Sequence, residues 1–153
     1  LQENFQQDSR TNIYPEDGFI KSLALLPPIQ RRGLTVIDPS YELKADYDKV
    51  VEHVKTLYKR FATGVYAVWY PVVNCERVAR LEAQFKRAGL KNTHLYELQT
   101  YSSDKGGMYA SGMIVVNPPW TLKQDLEVAL PWLVDVMGLD SEASFRSVIL
   151  CPE

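Results

Sequence analysis

The apolar positions of this chain keep two rhythms, short continuous runs and stretches spaced at three and four residues, and the two alternate along the sequence. Between residues 46 and 61, Tyr47, Val50, Val51, Val54, Leu57, Tyr58 and Phe61 keep helical spacing, and Gly64 stands just past them, which predicts an amphipathic helix. Before it, the run Gly33-Leu34-Thr35-Val36-Ile37 stops abruptly at Asp38-Pro39-Ser40-Tyr41, the pattern of a buried strand running into a turn. After it, Val65-Tyr66-Ala67-Val68-Trp69-Tyr70-Pro71 predicts a second buried strand. Val78, Leu81 and Phe85, closed by Gly89, predict a second helix.

A third strand is expected over residues 93–101. A loop rich in Ser, Asp and Gly then leads into the run Ser111-Gly112-Met113-Ile114-Val115-Val116-Asn117. With no helix between them, these two strands should be antiparallel neighbours. Leu122, Leu126, Ala129, Leu130, Leu133 and Val136 mark a last helix, kinked by Pro131, and residues 145–151 a closing strand. Toward the start, residues 1–9 resemble the tail of a helix, and Thr11-Asn12-Ile13-Tyr14 reads as a short strand. Asp17-Gly18 then supplies a capping acid and a flexible residue before a helix from Phe19 to Leu26, ended by Pro27-Pro28. The alternation predicts an α/β fold, a mixed and mostly parallel sheet with helices on both faces.

The 153 residues, 46% hydrophobic and 24% charged, suit one globular domain. A net charge of -2 neither draws the chain to nucleic acid nor excludes it. Cys75 and Cys151 lack metal-ligand spacing and only His53 and His94 could join them, so no metal site is expected and both thiols read as reduced and structural. No run has membrane length and no signal segment opens the chain, which fits a cytoplasmic protein.

Candidate chemistry lies where the central strand ends, because ligands of open α/β sheets bind beyond the carboxyl ends of strands. The Asp38 carboxylate and the Pro39 carbonyl can accept hydrogen bonds from an exocyclic amine, and Tyr41 can stack on the base that carries it. That is a site for an extruded adenine. The same four residues are also ordinary turn chemistry, with Tyr41 covering the core edge. His53 reads as a boundary residue of its helix and His94 as the start of a strand. Arg31-Arg32, Lys59-Arg60 and Lys86-Arg87 read as solvated surface or as phosphate contacts, and Gly106-Gly107 as a flexible turn.

Four separated blocks decide between these readings. Arg31-Arg32-Gly33-Leu34 running into Ile37-Asp38-Pro39-Ser40-Tyr41-Glu42, then Tyr58-Lys59-Arg60-Phe61-Ala62-Thr63-Gly64, Tyr66-Ala67-Val68-Trp69-Tyr70-Pro71-Val72-Val73, and the stretch from Ala110 to Trp120 all resemble, in order, the RlmJ-type adenine N6-methyltransferases of 23S ribosomal RNA. The terminal Cys151-Pro152-Glu153 continues the likeness. The resemblance implies a Rossmann-like fold that uses S-adenosyl-L-methionine. Asp38 matches the family's catalytic acid, and Asp17-Gly18 the position that contacts the adenosyl part of the cofactor. Ser40 departs from the family, which usually has a second proline there, and loosens the dipeptide. Asn117-Pro118-Pro119-Trp120 looks like a second amino-methyltransferase tetrapeptide, but the order of blocks makes it mainly a structural turn.

Family members are nearly twice this length, and neither a glycine-rich cofactor turn nor a ribose-binding acid precedes Asp17. Residues 1–153 are therefore expected to be the C-terminal part of a single catalytic domain, with a missing N-terminal segment as a partner. The fold's first two strands would lie between residues 11–14 and 34–37, so the chain by itself should not bind cofactor. Two rival readings stand beside adenine methylation of ribosomal RNA. One is a noncatalytic RNA-binding or assembly module with this fold. The other is an amino-methyltransferase acting on DNA adenine or a protein amide.

Overall fold

In the computed structural model, which describes Phe5, residues 8–42 and residues 44–153, a helix begins after Asp17, where an acid can cap it. The Asp17 carboxylate accepts a hydrogen bond from the Phe19 N–H at 2.8 Å and satisfies one of the N–H groups a helix start leaves without a partner; α1 spans Gly18–Leu25. The helix α2, Lys44–Arg60, carries Asp46 in its first turn and Lys59 and Arg60 in its last, charges that complement the helix dipole. Asn74 caps α3, Cys75–Ala88, by accepting from the Arg77 N–H at 3.0 Å, and Gly89 ends it in the left-handed conformation, at φ 67°. The last helix, α4, spans Leu122–Met137 and contains Pro131.

Among the described residues, five strands form one sheet: β1 Leu34–Ile37, β2 Val65–Val72, β3 Thr93–Gln99, β4 Ala110–Val116 and β5 Ser144–Cys151, in the order β1-β2-β4-β3-β5. The expected antiparallel pairing of β3 with β4 is present. The sheet is not mostly parallel, however. Only β1 and β2 pair in parallel, while β2·β4, β3·β4 and β3·β5 are antiparallel. A buried apolar run marks an interior strand but carries no sign of direction, and β4 is an interior strand with antiparallel partners on both sides.

Thr11-Asn12-Ile13-Tyr14 forms no strand, a second correction. β-branched and aromatic residues favour an extended chain, but a strand needs a ladder, and among the described residues none pairs with this stretch. The helix tail expected over residues 1–9 lies mostly outside the described residues.

Strand alternation divides the core in two. Tyr66, Val68 and Tyr70 point to the face covered by α2 and α3, where they pack with Val50, Val54, Leu57 and Phe85. Ala67, Tyr96 and Val115 point to the other face and meet Leu130 of α4. Helices thus cover both faces, as expected. Burying side chains such as Leu57 and Phe85 contributes about 2 kcal/mol each. The outer side of β1 is bare: Leu34 and Val36 are 62% and 61% exposed on the edge strand.

Gly112 on β4 stands between Tyr70 of β2 and Glu97 of β3. The Tyr70 phenol crosses over it to donate to Glu97 Oε2 at 3.0 Å, and Arg146 holds the other Glu97 oxygen at 3.1 Å. A Cβ on Gly112 would overlap the Tyr70 ring, which this network prevents from moving away. Gly112→Ala should therefore destabilise the fold by about 2 kcal/mol, read as a lower midpoint in chemical denaturation. An unchanged midpoint would show that the ring is free to yield.

Candidate active site

Ile37, the last residue of β1, is buried, Asp38 is exposed, Pro39 is half-buried, Ser40 is exposed and Tyr41 is buried again. The chain therefore leaves the core after Ile37 and returns to it four residues later. The turn is fixed at both ends: the Pro39 ring restricts φ, and Tyr41 adopts a left-handed φ of 55° that a bulky residue tolerates only when its surroundings demand it. Here they do. The Tyr41 ring packs on Tyr47 at 4.6 Å between centroids, and its hydroxyl donates to the Trp69 carbonyl at 2.5 Å. Burial raises the phenol's pKa far above its ordinary value, so the proton stays on the hydroxyl.

The start of α1 faces this turn. Asp17, Gly18, Asp38 and Pro39 together line a cavity of about 410 Å³, whose floor includes Ile37 and His53. That volume lies within the range of small-molecule sites. One Asp17 oxygen caps the Phe19 N–H; the Gly18 N–H has no partner among the described residues, and a Cβ placed on Gly18 would meet nothing within 4 Å. A backbone donor, a carboxylate and open space thus lie close together, which suits a polar ligand.

The structure brings together four of the six residues singled out from the sequence, Asp17, Gly18, Asp38 and Pro39. Ser40 and Tyr41 lie outside the cavity lining. The Tyr41 ring, 6% exposed, is turned into the core and offers no face to a stacked base, so its part in this geometry is to anchor the turn. Asn117 lies at the opposite end of the sheet from Asp38. β4 runs antiparallel to β2, and Asn117 follows Val116, which pairs with Tyr66 near the start of β2. Its amide donates to the Ala62 and Gly64 carbonyls at 2.8 and 2.9 Å, the structural role expected of that turn.

His53 and Ser22 are among the cavity residues that sequence reasoning did not assign to the site. The signal was present: His53 lies three residues after Val50 and four before Leu57, both fully buried, so its ring must turn toward the protein. A larger apolar cleft of about 490 Å³ lies between α4 and the other sheet face. Its one carboxylate, Glu97, is already engaged by Tyr70 and Arg146, and the rest of its lining is mostly apolar. Among the described residues, no group of three or more His, Cys, Asp or Glu is placed to hold a metal ion, and no helix is long and apolar enough to cross a membrane.

A mixed α/β sheet with an acid-proline turn at the carboxyl end of a strand, facing an aspartate-capped helix, defines a methyltransferase-type fold. The family model described as Ribosomal RNA large subunit methyltransferase D, RlmJ, matches residues 1–148, and the chain belongs to that family. It is 48% identical over 134 residues to the Ribosomal RNA large subunit methyltransferase J of Escherichia coli (strain K12), covering 87% of this chain and 48% of that protein. To the protein of the same name from Haemophilus influenzae it is 42% identical over 154 aligned positions, covering 100% of this chain and 55% of the relative. The chain thus spans about half the length of these relatives. Among solved structures, protein LPL1258 from Legionella pneumophila, assigned to the DUF519 family, superposes with a TM-score of 0.80 at 33% identity, over 88% of this chain and 49% of that one.

An anchoring Tyr41 and a stacking Tyr41 predict different behaviour. Tyr41→Phe keeps a flat ring but removes the bond to the Trp69 carbonyl, so it should lower unfolding stability by about 1 kcal/mol in urea denaturation. Unaltered stability would remove the anchoring role.

Proposed function

We propose that the whole protein transfers a methyl group from S-adenosyl-L-methionine to N6 of an adenine in 23S ribosomal RNA, in the cytoplasm. The observation that carries this reading is the convergence of Asp17, Gly18, Asp38 and Pro39 on one cavity at the carboxyl end of β1. The names of the relatives and the family support the substrate class.

Bound there, S-adenosyl-L-methionine supplies an electrophilic methyl group. In this reading Asp17 and Gly18, which line the cavity, would hold the adenosyl part of the cofactor. The target adenine has to leave its stack to reach the turn. Asp38, exposed and acceptor-only when ionised, and the Pro39 carbonyl take hydrogen bonds from its amino group and aim the nitrogen lone pair, and the Asp38 carboxylate would accept the proton released as the nitrogen–methyl bond forms and the sulfur–methyl bond breaks, leaving a neutral thioether. Tyr41 contributes by keeping the turn in register. Acceleration comes from orientation rather than from a covalent intermediate.

The rest of the cofactor wall belongs, in this reading, to further strands of the whole protein packed along β1. The exposed Leu34 and Val36 on the edge strand and the half-length match to the relatives support that arrangement.

In the whole protein, Asp38→Ala should reduce methyl transfer at least about 100-fold while calorimetry still detects cofactor binding. Transfer at the wild-type rate would refute the role of Asp38. A wild-type protein that binds no S-adenosyl-L-methionine would favour a noncatalytic RNA-binding module instead.

A further inference from the structure

The cofactor side of the cavity, at the start of α1, and the amine side, at the end of β1, lie on different elements, and one side chain from a third element joins them. His53, on α2, is half-buried and lines the cavity. Its Nε2 lies 2.9 Å from Ser22 Oγ, and its ring meets the edge of Phe19 at 4.8 Å and 87°. Ser22 Oγ lies 2.7 Å from the Gly18 carbonyl and 3.4 Å from the Phe19 carbonyl, and donates to the nearer. With the hydroxyl proton on the Gly18 carbonyl, Ser22 Oγ is free to accept from the imidazole in the tautomer that carries its proton on Nε2. In that tautomer the relay runs from His53 to Ser22 to Gly18.

The relay ends on Gly18, which lines the cavity. Gly18 has no side chain to pack, and Asp17 before it is exposed, so neither fixes the turn by burial. The Asp17 cap and carbonyl tie the turn to its own helix; Ser22, bonded back across one helical turn, and His53, which holds Ser22 and Phe19 against α2, tie it to the rest of the fold. α2 is also the helix that follows the Asp38 turn and bears Tyr47, on which the Tyr41 ring rests. One helix thus references both walls.

We propose that His53 is a positioning residue: through Ser22 it sets the Asp17-Gly18 turn at a fixed place relative to Asp38, and so governs how tightly the adenosyl part of the cofactor is held. The inference rests on the reading of this cavity as the S-adenosyl-L-methionine site. A histidine that merely filled space would be replaceable by any side chain of similar bulk. One that orients Ser22 requires a donor at the position of Nε2.

Calorimetric titration of the whole protein with S-adenosyl-L-methionine, together with methyl-transfer kinetics, tests this. His53→Leu keeps the apolar contact with Phe19 and deletes the donor, and should weaken cofactor binding about three- to tenfold, the effect of one hydrogen bond. Ser22→Ala should do the same, and the double variant should be no weaker than either single one, because both remove the same link. His53→Gln, whose terminal amide nitrogen can donate to Ser22, should stay within about twofold of wild type. KM for the RNA should be unmoved in all four. Wild-type binding with His53→Leu equally tight, or a loss shared by RNA and cofactor that His53→Gln does not rescue, overturns the positioning role and leaves the proposed function standing. A wild-type protein that binds no cofactor overturns both.

Discussion

Two buried side chains four residues apart, Ile37 and Tyr41, are the constraint from which the site follows. Each is held by the core, Ile37 at the end of a strand paired to β2 and Tyr41 against Tyr47 and the Trp69 carbonyl. The three residues between them have to leave the core and come back, which an extended chain cannot do. The return requires the left-handed conformation at Tyr41, and Tyr41 bears that cost, of order 1–3 kcal/mol for such a residue, because its ring and hydroxyl are satisfied there. Asp38 is consequently presented to solvent on a turn stiffened by the proline after it and by the core beyond. Ser40, which stands where the family usually has a second proline, is flanked by these two fixed points.

The parallel pairing of β1 with β2 matters for the same reason. It brings Ile37 beside Val68, so the turn emerges at the end of the sheet from which β2 and β3 also exit, while β4 and β5 exit at the other end. Asn117-Pro118-Pro119-Trp120 has the better-looking tetrapeptide but emerges at that other end, where its asparagine ties β4 to the loop before β2. Chemistry in an α/β sheet depends on which end a motif reaches as much as on its letters.

Much of this was legible in the residue pattern. Helical spacing placed α2 and α3 within a turn of their ends, because both carry a continuous apolar stripe and terminal signals at Gly64 and Gly89. Asp17 was recognisable as a cap and Asp38 as the end of a buried strand. Strand direction was not legible, since an interior antiparallel strand such as β4 is as apolar as a parallel one. Nor was the absence of a strand over residues 11–14, because pairing is a property of the partner and not of the segment. The orientation of Tyr41 depended on a backbone conformation that only glycine would have announced. The bond from His53 to Ser22 spans 31 residues and two helices, and no local pattern encodes it.

The central claim is that Asp38 and Pro39 hold an adenine amine of ribosomal RNA for methylation, and transfer of radiolabelled methyl from S-adenosyl-L-methionine tests it most directly. The whole protein would be offered 23S ribosomal RNA lacking the modification, with double-stranded DNA and protein as parallel acceptors. The account predicts label in the RNA alone, recovered as N6-methyladenosine after digestion. Label in DNA or protein instead, or no label in any acceptor, would contradict it.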